Sequence, residues 1–373
     1  MIKFLIAVVL LISFNFHIFG QSYKSSYVHK GVMKANAGNY KGAIKEYSRA
    51  LEEDPNNYIA LVDRGLAKVE LKDYHGALQD YNKAIKINPN FGKAFVDRAI
   101  VKKELEDYKG AIKDYDEGIR LNPNDSVAFY DRGSDKCFLG DYKGAITDFN
   151  RAIALKLKTE GVFYNRGTAR YKAGDYRGSI DDYSKAIAQK KDYAEAYCYK
   201  GEAECAIKDY SNALRDLDRA IELNPKYAEA YCGRGTIKYD ENLYHGAIDD
   251  YTKAILLKPN IATYFFDRAV AKYSLNDSYG AIEDLNKAIE LKPQYVAAIF
   301  ERGLAKYSLY NFKDAIQDFD RVIVFEPDHG KAYLLRGRSE VSLYQYESAC
   351  ADLSKARDLK IFGADDAIAK YCH

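Results

Sequence analysis

The sequence predicts an all-α protein: a solenoid of ten 34-residue helix-turn-helix repeats followed by a C-terminal capping helix. Three observations support this fold class. Similar residues recur every 34 positions, and all seven prolines share one position of the repeat. The apolar residues within each repeat also have the spacing of an amphipathic helix.

The 34-residue period is most visible at one aromatic position. That position is tyrosine in eight of ten repeats, with Ser278 and Phe312 as the exceptions. Its members are Tyr40, Tyr74, Tyr108, Tyr142, Tyr176, Tyr210, Tyr244, Ser278, Phe312 and Tyr346. The prolines follow at a second fixed position, where Leu157 and Lys191 stand in two central repeats. No insertion interrupts the period, so we expect a regular array.

Each repeat contains two helical segments, which we call helix A and helix B. In helix B of the third repeat, Ala111, Tyr115 and Ile119 are four residues apart, which places them on one helix face. Proline then ends the helix. Residues 128–139 show a similar apolar face in a helix A. One such hairpin cannot bury its apolar faces alone, so neighbouring hairpins are expected to stack around a continuous core.

This periodicity sets the boundaries of the repeats. The predicted repeats are 24–57, 58–91, 92–125, 126–159, 160–193, 194–227, 228–261, 262–295, 296–329 and 330–363, numbered 1 to 10. Residues 364–373 are expected to form the capping helix, with a polar outer side.

Residues 1–20 have the pattern of a secretory signal peptide. Lys3 precedes an apolar run from Phe4 to Phe19, and the small residue Gly20 follows it. We therefore expect an exported protein, periplasmic or extracellular, with no membrane span after cleavage. The alternative is an uncleaved N-terminal helix that anchors the protein in a membrane, because the run approaches spanning length.

The repeats resemble the tetratricopeptide repeat family. In repeat 4 the resemblance rests on Phe129, Gly133, Gly140-Asp141-Tyr142, Ala145-Ile146, Phe149 and Ala152-Ile153, and along the chain it extends over residues 24–359. It implies a right-handed superhelix whose concave face, lined by the A helices, binds peptides or proteins. The chain departs from the family at Arg132 and Lys136, where the family usually has leucine and tyrosine.

One basic and one acidic position recur once per repeat. The basic residues of helix A are Lys30, Arg64, Arg98, Arg132, Arg166, Lys200, Arg234, Arg268, Arg302 and Arg336. The acidic residues of helix B are Glu46, Asp80, Asp114, Asp148, Asp182, Asp216, Asp250, Asp284, Asp318 and Asp352. Their equal number favours an ion-pair ladder that holds the repeats together, because the fork of arginine suits a carboxylate. The alternative is a basic row that binds carboxylates or phosphates of a ligand.

A second stripe on the A helices is more variable and largely aromatic in the later repeats. Its candidate binding residues are Tyr130, Tyr164, Tyr171, Tyr239, Phe266, Tyr273, Phe300 and Tyr307. By analogy with the family, this aromatic stripe faces the concave groove, where it would bind hydrophobic anchors of a peptide. Packing between neighbouring A helices would also select apolar residues, and we give both interpretations equal weight.

The composition and motifs argue against catalysis and against nucleic-acid binding. A net charge of +2 provides no clustered positive excess for phosphates. Histidines are scattered, and the carboxylates fall at repeat-equivalent positions rather than converging as in an active site. We therefore expect a non-enzymatic protein- or peptide-binding scaffold without cofactor or metal. The alternatives are a structural component of a cell-envelope assembly, acting through its edges or convex face, or a module that binds envelope glycans or peptidoglycan.

The six cysteines lack the regular spacing of a disulfide framework or a zinc site. We expect unpaired, partly buried thiols. A bridge among Cys198, Cys205 and Cys232 is the alternative.

Overall fold

The computed structural model describes residues 26–372, so the expected signal peptide at 1–20 lies outside the described residues. The described residues form α-helices and contain no β-strand, which confirms the all-α prediction. The chain divides into two compact units, with the boundary between Gly174 and Asp175.

The first unit contains nine helices within its described residues. They are α1 (Ser26–Asn36), α2 (Tyr40–Glu53), α3 (Tyr58–Glu70), α4 (Tyr74–Ile87), α5 (Gly92–Glu104), α6 (Tyr108–Leu121), α7 (Ser126–Phe138), α8 (Tyr142–Ala154) and α9 (Glu160–Lys172). Odd numbers are A helices and even numbers are B helices. Every B helix of this unit begins at the tyrosine that recurs every 34 residues, as the periodicity predicts.

The second unit begins with the B helix of repeat 5. Its helices are α10 (Tyr176–Gln189), α11 (Ala194–Ala206), α12 (Tyr210–Leu223), α13 (Ala228–Asp240), α14 (Tyr244–Leu257), α15 (Ala262–Ser274), α16 (Ser278–Leu291), α17 (Val296–Ser308), α18 (Phe312–Phe325), α19 (Gly330–Ser342), α20 (Tyr346–Asp358) and α21 (Ala364–Tyr371). Helix α21 follows the tenth hairpin at the position expected for a cap.

Aspartate or asparagine caps most of the B helices at the turn that follows helix A. The Asp73 side chain accepts a hydrogen bond from the backbone N–H of Gly76 at 2.9 Å, which satisfies a free donor at the start of α4. A Cβ atom on Gly76 would lie only 2.2 Å from Asp73 Oδ2. The glycine three residues after Asp73 therefore lets the capping carboxylate lie close to the start of α4.

In most repeats the two helices of a hairpin pack through a small residue on helix A and a ring on helix B, and Leu217, Leu285 or Leu353 takes the place of the ring in three repeats. Gly65 of α3 faces Tyr81 of α4, and a Cβ atom at Gly65 would lie 2.6 Å from the Tyr81 ring. The same contact joins Gly133 to Phe149. Because interiors are close-packed, the missing side chain of the glycine is what lets the ring lie against helix A.

Most neighbouring A helices within each unit contact each other directly. Successive B helices make no comparable contact in the part of the chain that the structure describes. Each stack is therefore more closely packed on its A-helix side, and we call this side the inner side of the unit.

The C-terminal cap corrects the expectation for the cysteines. A disulfide bond joins Cys350 of α20 to Cys372, with Cα atoms 5.7 Å apart. The expectation of six unpaired thiols is wrong for this pair, because α21 folds back on α20 and brings the two cysteines within bridging distance. Cys198, Cys205 and Cys232 are free, so the alternative bridge among them is not formed.

No helix within residues 26–372 combines the length and the apolar character that crossing a bilayer would require.

Candidate binding surface

The basic and acidic positions of the ladder meet within one repeat. In repeat 4, Arg132 Nε and Nη2 donate to the two carboxylate oxygens of Asp148 at 2.9 and 2.6 Å. The same bidentate contact joins Arg64 to Asp80, Arg98 to Asp114, Arg234 to Asp250, Arg268 to Asp284, Arg302 to Asp318 and Arg336 to Asp352. Only 3% of the Asp148 side chain is exposed, so this contact belongs to the interior of the repeat.

The ladder arginines also contact the preceding repeat. Arg132 Nη1 donates to Asp116 on α6 at 2.7 Å. Arg166 donates in the same way to Asn150 on α8 at 2.7 Å. Each of these guanidinium groups therefore joins two neighbouring hairpins, an arrangement that fixes how they stack.

Repeats 1 and 6 differ from this pattern. In repeat 1, the Glu46 carboxylate lies 2.6 Å from Lys34 Nζ and 3.5 Å from Arg49 Nη1. In repeat 6 a lysine takes the basic position, and Lys200 Nζ donates to Asp216. Asp182 is buried in α10, the first helix of the second unit.

A second cation reaches the ladder aspartates. Lys136, one helical turn after Arg132, lies with its Nζ 2.8 Å from Asp148 Oδ2. Lys68, Lys102, Lys238, Lys272 and Lys306 make the equivalent contact at 2.7 to 2.9 Å. In the sequence, Lys136 is a departure from the family pattern. The recurrence of lysine at this position every 34 residues could have revealed all the lysines that contact the ladder aspartates. With two cations on the buried carboxylate in these six repeats, the ladder has little capacity left for a ligand there.

Replacing Arg132 with alanine should lower the free energy of unfolding by about 1 to 2 kcal/mol, because charge-assisted hydrogen bonds are lost while Lys136 still compensates Asp148. Thermal unfolding followed by circular dichroism measures the change. Arg120→Ala is the matched control, because its ion pair with Glu117 is exposed and should contribute under about 0.5 kcal/mol. Lost partner binding at unchanged stability would contradict a structural role for Arg132.

In the first unit, the aromatic stripe comprises Tyr130, Tyr164 and Tyr171. Tyr130 is 9% exposed, and its ring centroid lies 5.9 Å from that of Phe149. Its hydroxyl accepts a hydrogen bond from Asn165 on the next A helix at 2.8 Å. Tyr130 therefore contributes to the interface between repeats. Tyr164 and Tyr171 are partly exposed and lie on α9.

In the second unit, the aromatic stripe comprises Tyr239, Phe266, Tyr273, Phe300 and Tyr307, and all five side chains are partly buried. The Tyr239 hydroxyl lies 3.3 Å from Ser274 Oγ on the next A helix. The Phe266 ring lies 5.1 Å from Tyr295. Tyr239 thus contacts the neighbouring repeat, and all five side chains keep part of their surface accessible, so packing and binding are compatible at the same positions.

The inner side also has carboxylates that sequence analysis did not select. Asp63, Asp97 and Asp131 occupy one position in the A helices of repeats 2 to 4, and Asp267 and Glu301 occupy it in repeats 8 and 9. Each directly precedes a ladder arginine, so the 34-residue step could have identified them. The surface expected to be apolar and rich in tyrosine is therefore also acidic.

Burial changes the ionisation of these carboxylates. Desolvation raises the pKa of Asp63, Asp131 and Asp267 to about 6, because a low-dielectric surrounding disfavours the charged form. The pKa of Glu301 is also raised, again chiefly by burial. At neutral pH most of these groups are charged but poorly solvated, and a cation near them would be stabilised.

Within residues 26–372, no group of three or more histidine, cysteine, aspartate or glutamate side chains is arranged to hold a metal ion.

Stacked helix hairpins of constant length, with the first helix of each pair on the inner side, define the class of α-helical repeat proteins. Models of the tetratricopeptide repeat family match residues 25–57, 58–91, 93–125, 201–241, 228–261 and 262–295. The chain belongs to the tetratricopeptide repeat family, and membership supports a protein-interaction scaffold.

The chain is similar to several solved structures. A tetratricopeptide repeat protein from Parabacteroides merdae is 16% identical, covers 75% of this chain and 96% of its own, and has a TM-score of 0.50. Yeast Tom70 is 16% identical over 89% of this chain and 91% of its own, with a TM-score of 0.44. YrrB, described as a protein with an unusual peptide-binding site, is 19% identical over 59% of this chain and 95% of its own, with a TM-score of 0.38. No curated protein matches the chain.

Proposed function

We propose that the protein is a non-catalytic scaffold that binds a protein or peptide segment on the inner side of its A helices. The observation that supports this most is the partly exposed aromatic stripe. Contacts that only hold the stack, such as the bidentate pair of Arg132 and Asp148, repeat with little change along the chain. The stripe changes its residues from repeat to repeat, as a surface selected for one ligand would.

We propose further that the protein is exported to the periplasm or the cell exterior. The bond between Cys350 and Cys372 supports this, since structural disulfides persist mainly in oxidising compartments. The signal-peptide pattern of residues 1–20 supports the same compartment.

Replacing Tyr164, Tyr239 and Tyr273 together with alanine should reduce capture of the native partner by about tenfold or more, because three aromatic anchors are removed. The measurement is crosslinking of the immobilised protein to an envelope extract, with mass spectrometry to quantify each protein captured by wild type. Circular dichroism must show unchanged helicity in the triple variant.

The matched control removes three exposed tyrosines from the second unit. Tyr279, Tyr310 and Tyr344 are 73%, 81% and 81% exposed and lie at or just after the turns between helices A and B. Replacing them with alanine should leave capture of the same partner intact. If this control loses the partner while the inner-side variant keeps it, the scaffold acts through its edge as part of an assembly, and the inner-side proposal is wrong.

A further inference from the structure

The inner side of the first unit has a polar row that follows the A helices of repeats 2 to 4. Its repeating members are Asp63 on α3, Asp97 on α5 and Asp131 on α7. Helices α3 and α5 are in contact, and Lys103 of α5 lies 3.9 Å from Asp131 of α7, so one carboxylate recurs from each A helix to the next, at roughly the 8 to 10 Å that separates packed helices. The side chain of Asp131 keeps 14% of its surface accessible, which leaves room for contact from outside.

Two buried hydroxyl groups lie between these carboxylates without a hydrogen-bond partner. Tyr81 and Tyr115 are 0% exposed, and neither hydroxyl is paired. Burial, and then the charges of Asp97 and Asp63, raise the pKa of Tyr81. Burial, and then Asp131, have the same effect on Tyr115. The hydroxyls therefore face the acidic row from the B helices behind it.

Unpaired groups also occur among the carboxylates. Asp63 Oδ2 has no partner, and neither oxygen of Asp135, which is 0% exposed and one turn after Asp131, has one. Buried polar groups are nearly always paired, so several unpaired groups behind one row leave its carboxylates poorly compensated, and a cationic ligand on the accessible carboxylates would supply the missing charge.

Two lysines show which charge this surface accepts. Lys93 Nζ donates to both oxygens of Asp97 at 2.8 and 3.1 Å. Lys103 Nζ lies 3.9 Å from Asp131 Oδ1. The row thus holds four carboxylates, including Asp63 and Asp135, against two ammonium groups. It has an uncompensated negative charge, and its shape admits an ammonium group.

We propose that the row formed by Asp63, Asp97 and Asp131 binds an extended, basic segment of a partner protein, with lysine or arginine at every third residue. A chain in the extended polyproline II conformation has three residues per turn and advances about 3.1 Å per residue, so every third side chain lies on one face at intervals of about 9 Å, close to the spacing of packed helices. This inference rests on the proposed function and names the chemistry of the ligand for the first unit.

Two synthetic peptides of identical composition test the proposal by fluorescence polarisation with the full chain. The spaced peptide has lysine at every third position among glycine and serine, and the clustered peptide has the same lysines in succession. At low salt, wild type should bind the spaced peptide at least about fivefold more tightly. The variant Asp63→Asn, Asp97→Asn, Asp131→Asn should lose about tenfold in affinity for it and lose the preference.

A matched variant removes the same charge from exposed positions of the first unit: Glu52→Gln, Glu106→Gln, Glu117→Gln. It should bind the spaced peptide within about twofold of wild type. The proposal would be overturned if wild type bound both peptides equally, or bound spermine as tightly as the spaced peptide. It would also be overturned if the matched variant lost as much affinity as the aspartate variant, or if the spaced peptide did not bind. The aromatic triple variant and its partner assay do not depend on this result, so the two proposals can fail separately.

A pH series provides an independent readout. The charged neighbours of Asp63 are Lys93 and Asp97, and those of Asp131 are Lys103 and Asp125. Asp135 has Lys103 and Asp131 as its charged neighbours. The hydroxyls of Tyr81 and Tyr115 stay neutral over the whole pH range of the series. Because the raised pKa values of Asp63 and Asp131 lie at about 6, both carboxylates are charged at pH 7.5 and largely protonated at pH 5. Affinity for the spaced peptide should fall about tenfold over this interval. Unchanged affinity would contradict binding by these carboxylates.

Discussion

Replacing Asp135 with valine should raise the free energy of unfolding of the first unit by about 4 kcal/mol at pH 8. Asp135 is 0% exposed, and both of its carboxylate oxygens lack a hydrogen-bond partner. Burial raises its pKa from 3.8 to about 7. At about 1.4 kcal/mol per pKa unit, ionising this group costs the folded state roughly 4 kcal/mol. Valine has no charge to desolvate, so this cost disappears.

The sign of this effect fixes its pH dependence. A carboxyl group whose pKa is raised on folding destabilises the native state once the pH exceeds its unfolded pKa, and the full cost applies above the folded value. The gain from valine should therefore shrink to about 1.5 kcal/mol at pH 5. Urea unfolding at pH 8 and pH 5, followed by circular dichroism, measures both values.

The preceding repeat offers the reciprocal control. Val101 occupies the position equivalent to Asp135 and is 0% exposed. Val101→Asp should destabilise the first unit by several kcal/mol at pH 8 and by less at pH 5, because it introduces the same buried charge. If Asp135→Val produced a gain independent of pH, the Asp135 carboxylate would have to be compensated in the native protein.

The fold could be predicted from sequence because each repeat solves the same packing problem with the same residues. A small residue such as Gly65 faces an aromatic ring such as Tyr81, and the ring recurs at one position. These contacts are local, within one hairpin, so spacing alone reveals them. The ladder pairs join residues 16 apart in the same repeat, and the recurrence of one basic and one acidic residue per repeat predicts this pairing.

The exceptions to the pattern could not be interpreted from sequence, since their meaning depends on what surrounds them. Asp135 stands where equivalent positions have Ala67, Val101 or Ala169, and only its burial shows the cost. Glu204 replaces the second ladder cation in repeat 6. It lies 3.0 Å from Lys200, with one oxygen unpaired, and burial raises its pKa to about 7.

The sequence predicts the capping helix but not the disulfide bond between Cys350 and Cys372. Cys372 lies beyond the last full repeat, so no periodic position relates it to Cys350. The two sulfur atoms meet only because the turn after α20 reverses the chain direction. A repeat pattern describes how hairpins stack, and it contains no information on how the final segment folds back.

Replacing Cys350 and Cys372 together with serine should destabilise the C-terminal end of the second unit by about 3 kcal/mol. The bond closes a loop with a sequence separation of 22 residues, and the chain-entropy cost of that loop in the unfolded state is of this size. Helix α21 has only eight residues, and its fully buried side chains are the small Ala364 and Ala367, with Ile368 and Tyr371 only partly buried. A helix this short is marginal on its own, so the disulfide should provide most of its stability.

Hydrogen exchange of the α21 amides, together with thermal unfolding, measures this effect. The double serine variant and wild type treated with reductant should show the same faster exchange, since both lack the bond. Cys137→Ser is the control, because the Cys137 thiol is free in the structure. The α21 amides of this variant should exchange at the wild-type rate. Unchanged exchange after reduction would contradict the stabilising role of the disulfide.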